Sequence, residues 1–253
     1  MQLNQATILL VEDEPALREI IGAWFQRIAG KALTAAHGGE ALAVIAVHPV
    51  DLVISDMRMP VIDGITLLKN IRASRRNLPV ILISGYSDTE GRIALGLGAD
   101  ALLLKPMDRQ DLLDTVARSL SPREEVWCTP LKELPDTTIH QSYPNLAGAL
   151  RLGEIAFGRR GFCISCSQML VDGPIGVHLE FQEDRLILEA QGFVRWSAPA
   201  EHQFGIELLY VASGSRHWLG KWMNPGSVAF IPTSSKDQLE LAKDQRELHA
   251  RPA

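Results

Sequence analysis

Leu52–Gly64 reads LVISDMRMPVIDG, a short apolar run that ends in one aspartate, Asp56, and then turns through methionine, arginine and proline to a glycine. An isolated aspartate at a strand end is usually a turn former or a helix cap. Asp56 therefore counts as a chemical site only if the fold brings it partners. Working outward, residues 7–120 alternate β-rich runs with amphipathic segments. TILLV, KALTAA, DLVIS, PVILIS and ALLL are each followed by a helical pattern: ALREIIGAWFQRIA, GEALAVIAV, ITLLKNIRAS, TEGRIALGLG and RQDLLDTVARSL. This strict alternation predicts an α/β doubly wound, five-stranded parallel sheet covered by helices on both faces. In such a sheet, side chains just beyond the carboxyl ends of the strands converge on one crevice.

The strand ends carry Glu12 and Asp13 after the first run, Asp56 at the third, Ser84 at the fourth and Lys105 after the fifth. Three carboxylates at one edge repel one another and shift towards protonation unless a cation sits among them, and a hard, oxygen-coordinated ion such as Mg²⁺ suits the set. Each residue also has an ordinary reading. Glu12-Asp13-Glu14 before Pro15 fits a helix N-terminus favoured by the dipole, Ser84 fits a turn hydroxyl, and Lys105-Pro106 fits a loop whose proline makes a cis bond accessible. It is the placement of all five at strand ends, in order, that singles out one site.

The 253 residues are 46% hydrophobic, ample for one large domain or two ordinary ones. Net charge is −5, with 12 basic against 14 acidic residues up to position 120 and 13 against 16 thereafter. Neither half carries the Lys/Arg excess of a DNA-binding domain, so no DNA partner is expected. Three cysteines cannot all pair within the chain, and the N-terminus lacks a basic region and a long apolar run. The expectation is reduced thiols in a cytoplasmic protein with no signal peptide and no membrane partner.

With these residues in view, positions 1–120 resemble a response-regulator receiver domain of bacterial two-component systems, a flavodoxin-like fold. The matching features are Glu12-Asp13, the DMRMPVIDG loop around Asp56, ISGYSD with Ser84, and LLKP with Lys105. The resemblance implies phosphorylation of Asp56 by a sensor histidine kinase or phosphotransfer protein. It implies Mg²⁺ held by Glu12, Asp13, Asp56 and the backbone carbonyl of Arg58. Lys105 would pair with the phosphoryl oxygens, and Ser84 would follow them as the switch. One departure is Leu102, where such families usually carry Tyr or Phe three residues before the lysine. Tyr86 and Arg58 flank the site as tuning residues.

Residues 121–147, interrupted by Pro122, Pro130, Pro135 and Pro144, read as a linker in which Trp127 and Leu131 can pack on a neighbour. From 148 to 223 the pattern predicts a small antiparallel β-barrel. RGFCISC, IGVHLEF, RLILEAQGFVRW and FGIELL look like strands, with Val177, Leu179 and Phe181 on one face, Leu188, Ala190, Val194 and Trp196 on another, and a helix over 213–223 closing one mouth. LEAQGFVRW followed by FGIELLYVASGSRHWLGKW resembles a PilZ domain. PilZ domains that bind cyclic di-GMP use an RxxxR segment and a D/NxSxxG turn; here RLGEI offers Arg151 but then Ile155, and AFGRRG has Ala156 and Gly158 at the motif positions. The ligand motif is largely absent, and Arg159 and Arg160 are the substitutes available, so cyclic di-GMP as a ligand is left open. Cys163 and Cys166 read as core cysteines, and the seven histidines show no HxxxH or HExxH spacing. Residues 224–253 form a polar tail with a helical pattern that admits a homodimer.

These features together predict a response regulator whose PilZ-like half contacts a downstream protein and is not itself an enzyme. The alternatives are a phosphorylation-dependent cyclic di-GMP effector and, less favoured, a transcription regulator.

Overall fold

A parallel pair needs a crossover connection, and the segments between the first five strands are long enough to be helices that supply it. The computed structural model describes residues 2–74, 77–85, 88–223 and 229–233, and the chain divides into two units, Met1–Val126 and Trp127–Ala253. In the first unit β1 (Thr7–Val11), β2 (Lys31–Ala35), β3 (Leu52–Asp56), β4 (Val80–Ser84) and β5 (Ala101–Leu104) alternate with α1 (Pro15–Gln26), α2 (Gly38–Val47), α3 (Gly64–Ser74), α4 (Asp88–Gly96) and α5 (Arg109–Leu120). The strands lie in the order β2-β1-β3-β4-β5 and every pair is parallel. β1 and β3 sit side by side at the point where the winding reverses, and the five-stranded parallel sheet is as the alternation predicts.

β3 and β4 are buried along their whole length, because their alternate side chains enter two cores. Leu9, Val11, Val53 and Leu82 face one, while Ile8, Leu10, Ile54 and Ile83 face the other. Arg72, at the last turn of α3, is buried between the two ends of this layer. Its guanidinium donates to the carbonyls of Gly98 and Leu78 and to Asp100, at 2.6–2.9 Å, and Asp100 also accepts from the Val80 amide. One charged pair thus ties α3 to the starts of β4 and β5. Replacing Arg72 with methionine leaves Asp100 as an uncompensated buried charge, and urea unfolding should show a loss of ~3–5 kcal/mol.

A short helix, α6 (Arg123–Val126), ends the first unit. The second unit holds β6 (Thr138–Tyr143), α7 (Leu146–Leu152), β7 (Ile155–Phe157), β8 (Gly161–Ser165), β9 (Gly173–Phe181), β10 (Leu186–Ala198), β11 (Gln203–Val211) and α8 (Ser213–Trp222). Here the expected closed antiparallel barrel is corrected. The six strands form one curled mixed sheet in the order β6-β9-β10-β11-β8-β7, with β6 parallel to β9. Among the described residues, β6 and β7 remain unclosed edges. The 13-residue β10 has irregular register against β11 at Gln191/Gly192 and Val194/Trp196, and such bulges bend a strand and increase its twist.

The parallel strand comes from the segment expected to be a linker. THE six residues TIHQSY bury only Ile139 and Tyr143, so the period of two is too short to separate from a polar connection. Asn145 then caps α7 by accepting from the Gly148 amide, and Gly153 ends that helix at φ 77°. Trp127 is buried, and its indole N–H donates to the Leu208 carbonyl. Residues 127–147 are therefore largely part of the second unit. The face assignment changes as well: Leu188 lies opposite Leu179 and Ala190 opposite Val177, so these residues share one face. Cys163 and Cys166 are buried, as read, and α8 lies against β10 through Ser215 and Trp218. The tail's helical pattern and any dimer it makes lie outside the described residues, apart from 229–233.

Among the described residues Trp196 is the largest fully buried side chain, and its cross-strand partner is Gly205. A Cβ at Gly205 would stand 2.0 Å from the indole nitrogen, so the ring occupies the space that glycine leaves. Trp196→Ala should cost ~3–5 kcal/mol, and Gly205→Ala should also destabilise. A near-neutral thermal midpoint for either variant would contradict this packing.

Candidate functional site

Continuation of the β1 ladder, through the Glu12 amide to the Ala35 carbonyl, turns Glu12 inward where it is 1% exposed, while Asp13 stays exposed. Asp56 ends β3 beside them. One ligand oxygen from each of Glu12, Asp13 and Asp56 falls within 4.8 Å of the others. Lys105, next to a cis bond with Pro106, places Nζ 2.7 Å from Asp56 Oδ2 and 3.3 Å from Glu12 Oε2. Asp56 Oδ1 accepts from the Arg58 amide at 3.2 Å. Ser84 is buried at the end of β4, and its carbonyl accepts from the Lys105 amide at 2.7 Å. Glu12, Asp56 and Lys105 thus meet directly, Asp13 stands within 4.8 Å of the other two acids, and β4 carries Ser84 to the same edge, one position past the residue paired with Asp56.

The glycine closing the opening stretch has a packing reason. A Cβ on Gly64 would lie 2.4 Å from the Asp56 carbonyl oxygen, so α3 can begin this close to the strand end only with glycine. Met57, Arg58, Met59 and Ile65 line an open cleft of about 700 Å³ beside Asp13. Leu102 packs against the core on that side of the sheet, where an aromatic residue was the usual expectation. Tyr86 lies outside the described residues.

Burial, followed by the neighbouring Asp56 charge, raises the Glu12 carboxyl above its ordinary range. Burial pulls the Lys105 ammonium down, but its hydrogen bond to Asp56 and the charges of Asp56 and Glu12 outweigh this and hold it above its ordinary value. Three carboxylates against one ammonium leave an excess of two negative charges when all are ionised. That excess, on oxygen donors alone, fits a hard divalent cation.

One contributor has no signature in the sequence. Arg18 of α1 reaches back so that Nη1 donates to the Glu12 carbonyl at 2.5 Å and the Asp13 carbonyl at 3.1 Å, fixing the backbone that carries both acids. A cation in the first turns of a helix is otherwise an ordinary surface residue, and only its spacing from the acidic pair hints at the contact. Arg159 and Arg160 lie in the β7–β8 turn of the second unit. Their amides donate to the Ala229 and Phe230 carbonyls, and the Arg159 guanidinium sits 5.8 Å from the Phe230 ring centre.

Residues 8–117 match the response regulator receiver domain family. The N-terminal unit is a response-regulator receiver domain. It is similar to Response regulator GtcR of Aneurinibacillus migulanus, at 38% identity over 113 residues that cover 44% of this chain and 45% of that protein. The DNA-binding transcriptional regulator NtrC of Salmonella typhimurium is 32% identical over 127 residues, 49% of this chain and 26% of that one. Among solved structures, chemotaxis response regulator CheY4 of Vibrio cholerae is 30% identical with a TM-score of 0.44, covering 46% of this chain and 99% of that one. The chain spans about half or less of the length of these curated relatives. No helix among the described residues is long and apolar enough to cross a membrane.

Because the receiver holds the Glu12 carboxyl above its unfolded value, ionisation of Glu12 opposes folding. The penalty is absent below the ordinary value of 4.5 and complete above the raised folded value. Glu12→Gln should therefore raise the thermal midpoint at neutral pH without divalent metal. The gain should vanish as the pH falls below 4.5.

Proposed function

We propose that the chain is a two-component response regulator that accepts a phosphoryl group on Asp56 from a sensor histidine kinase or phosphotransfer protein, with the second unit as a PilZ-like output that contacts a downstream protein. The observation that carries this reading is the 2.7 Å Lys105–Asp56 contact inside the Glu12, Asp13 and Asp56 cluster. An Asp56 carboxylate oxygen attacks the phosphorus of the phosphohistidine in line. The P–O bond forms as the P–N bond breaks, and the imidazole nitrogen keeps the electron pair and takes a proton from solvent. Lys105 moves from the carboxylate to the new phosphoryl oxygens, and the Ser84 hydroxyl donates to one of them. Mg²⁺, when held by Glu12, Asp13, Asp56 and the Arg58 carbonyl, supplies charge neutralisation at the transferring group. Arg18 keeps the acidic loop in place throughout.

Output by protein contact, without cyclic di-GMP, is supported by the β7–β8 turn. A Cβ on Gly158 would stand 2.4 Å from the Phe230 carbonyl oxygen, so the position at which the ligand motif needs a side-chain donor has no room for one. The backbones of Arg159 and Arg160 are engaged by the same segment. A transcriptional role, as in the names of some relatives, is disfavoured for this chain by the balance of basic and acidic residues in its second half. No nucleophile, base and orienting group can be named there either, so that half is proposed to act without catalysis.

Incubation with acetyl phosphate and Mg²⁺ should label the protein, and Asp56→Asn should abolish the label; equal incorporation in the variant would refute the assignment. In parallel, calorimetric titration with cyclic di-GMP should show no micromolar binding. Micromolar binding that disappears in an Arg159→Ala/Arg160→Ala variant would replace the protein-contact output with a two-input effector.

A further inference from the structure

The topology of the second unit assembles a row of side chains that sequence spacing does not show. The parallel β6–β9 register sets His140 directly opposite His178, and the antiparallel β9–β10 register sets His178 opposite Glu189. Directly paired residues share a face. The neighbours along each strand, Ile139, Val177, Leu179, Leu188 and Ala190, are buried on the other face, so the two imidazoles and the carboxylate line up on the accessible side across three strands. The imidazole centres are 5.3 Å apart with their planes tilted by 40°. Glu189 Oε1 lies 3.8 Å from His178 Nδ1.

We infer that His140 and His178, with Glu189 as third ligand, form a binding site for a divalent cation of the zinc class, separate from the receiver's carboxylate site. Two imidazoles on one tetrahedral ion, with metal–nitrogen distances of about 2.0–2.1 Å and each ring centre about 1.1 Å behind its nitrogen, have centres about 5.2 Å apart. The ring centres already stand at that separation, and rotation of the side chains would bring the donor atoms, which do not all lie within 4.8 Å of one another, onto one ion. Glu189 is exposed and closes on the ion by turning its own side chain, and solvent fills the open position. Imidazole nitrogen selects zinc, nickel or copper over Mg²⁺, whereas the all-oxygen receiver site has the opposite preference. Sharing an ion between β6 and β9 fastens a strand that, among the described residues, is paired on one side only, the first strand of the second unit.

The test uses the full chain in millimolar Mg²⁺, which occupies the receiver carboxylates, with ZnCl₂ as titrant. Calorimetry should find one micromolar zinc site that is lost in His140→Ala/His178→Ala and weakened at least about tenfold in Glu189→Gln. Hydrogen exchange should show slower exchange over residues 138–143 when zinc is added to the wild type. The substitutions lie on the accessible face, and the metal-free thermal midpoint reports whether each variant is folded. If the double-histidine variant is unfolded, His178→Gln takes its place. Undiminished zinc affinity in a folded histidine variant, or no zinc site in the wild type, overturns the inference. These results are independent of whether Asp56 is phosphorylated.

Discussion

Lys105 bridges two carboxylates that the fold itself forces together. Glu12 and Asp56 end adjacent parallel strands, so the sheet order itself forces two carboxylates to one edge. Lys105 reaches them from β5, across the end of β4, at 3.3 and 2.7 Å. Neither acid can move away, because β1 and β3 are fixed in the cores on both faces of the sheet. Burial first, and the confined Asp56 charge second, raise the Glu12 carboxyl above its ordinary range. What the first unit offers a ligand is thus a preset electrostatic imbalance on a rigid frame.

Much of this was legible in the sequence. Five short apolar runs, four of them ended by a chemically distinct side chain or pair, predict both the sheet and the convergence of Glu12, Asp13, Asp56, Ser84 and Lys105, since the period and the order of the strands suffice. Contacts that depend on a long side chain returning to backbone were not legible. Arg18 on the Glu12 and Asp13 carbonyls and Arg72 on those of Leu78 and Gly98 are both of this kind. Nothing in a helical pattern distinguishes such arginines from solvated ones.

The second unit was less legible because its edges are built from weak signals. β10 announces itself over 13 residues, whereas β7 has three and β6 buries only Ile139 and Tyr143. The proline-rich run before β6 looks like a connection, yet it seats Trp127 against β11 and directs residues 138–143 into parallel pairing with β9. A closed antiparallel barrel was the economical expectation from four strong strands. The parallel edge strand instead leaves the sheet mixed and open, because β6 pairs with β9 and not with β7.

Both units balance buried charge pair by pair, and this separates a structural pair from the proposed reactive site. In the second unit Glu207 is buried against Arg195, with Oε2 2.6–2.7 Å from two guanidinium nitrogens and that guanidinium 4.4 Å from the Phe193 ring centre. In the receiver, Arg72 and Asp100 balance in the same one-to-one way. Pairs of this kind are electrically complete: a further charged ligand would have to displace a partner and leave a buried charge uncompensated. The cluster around Asp56 is the exception, since its one ammonium leaves negative charge to spare. A divalent cation held there would relieve repulsion that the fold imposes on Glu12, Asp13 and Asp56, and the proposed phosphoryl transfer to Asp56 would draw on that same surplus of negative charge.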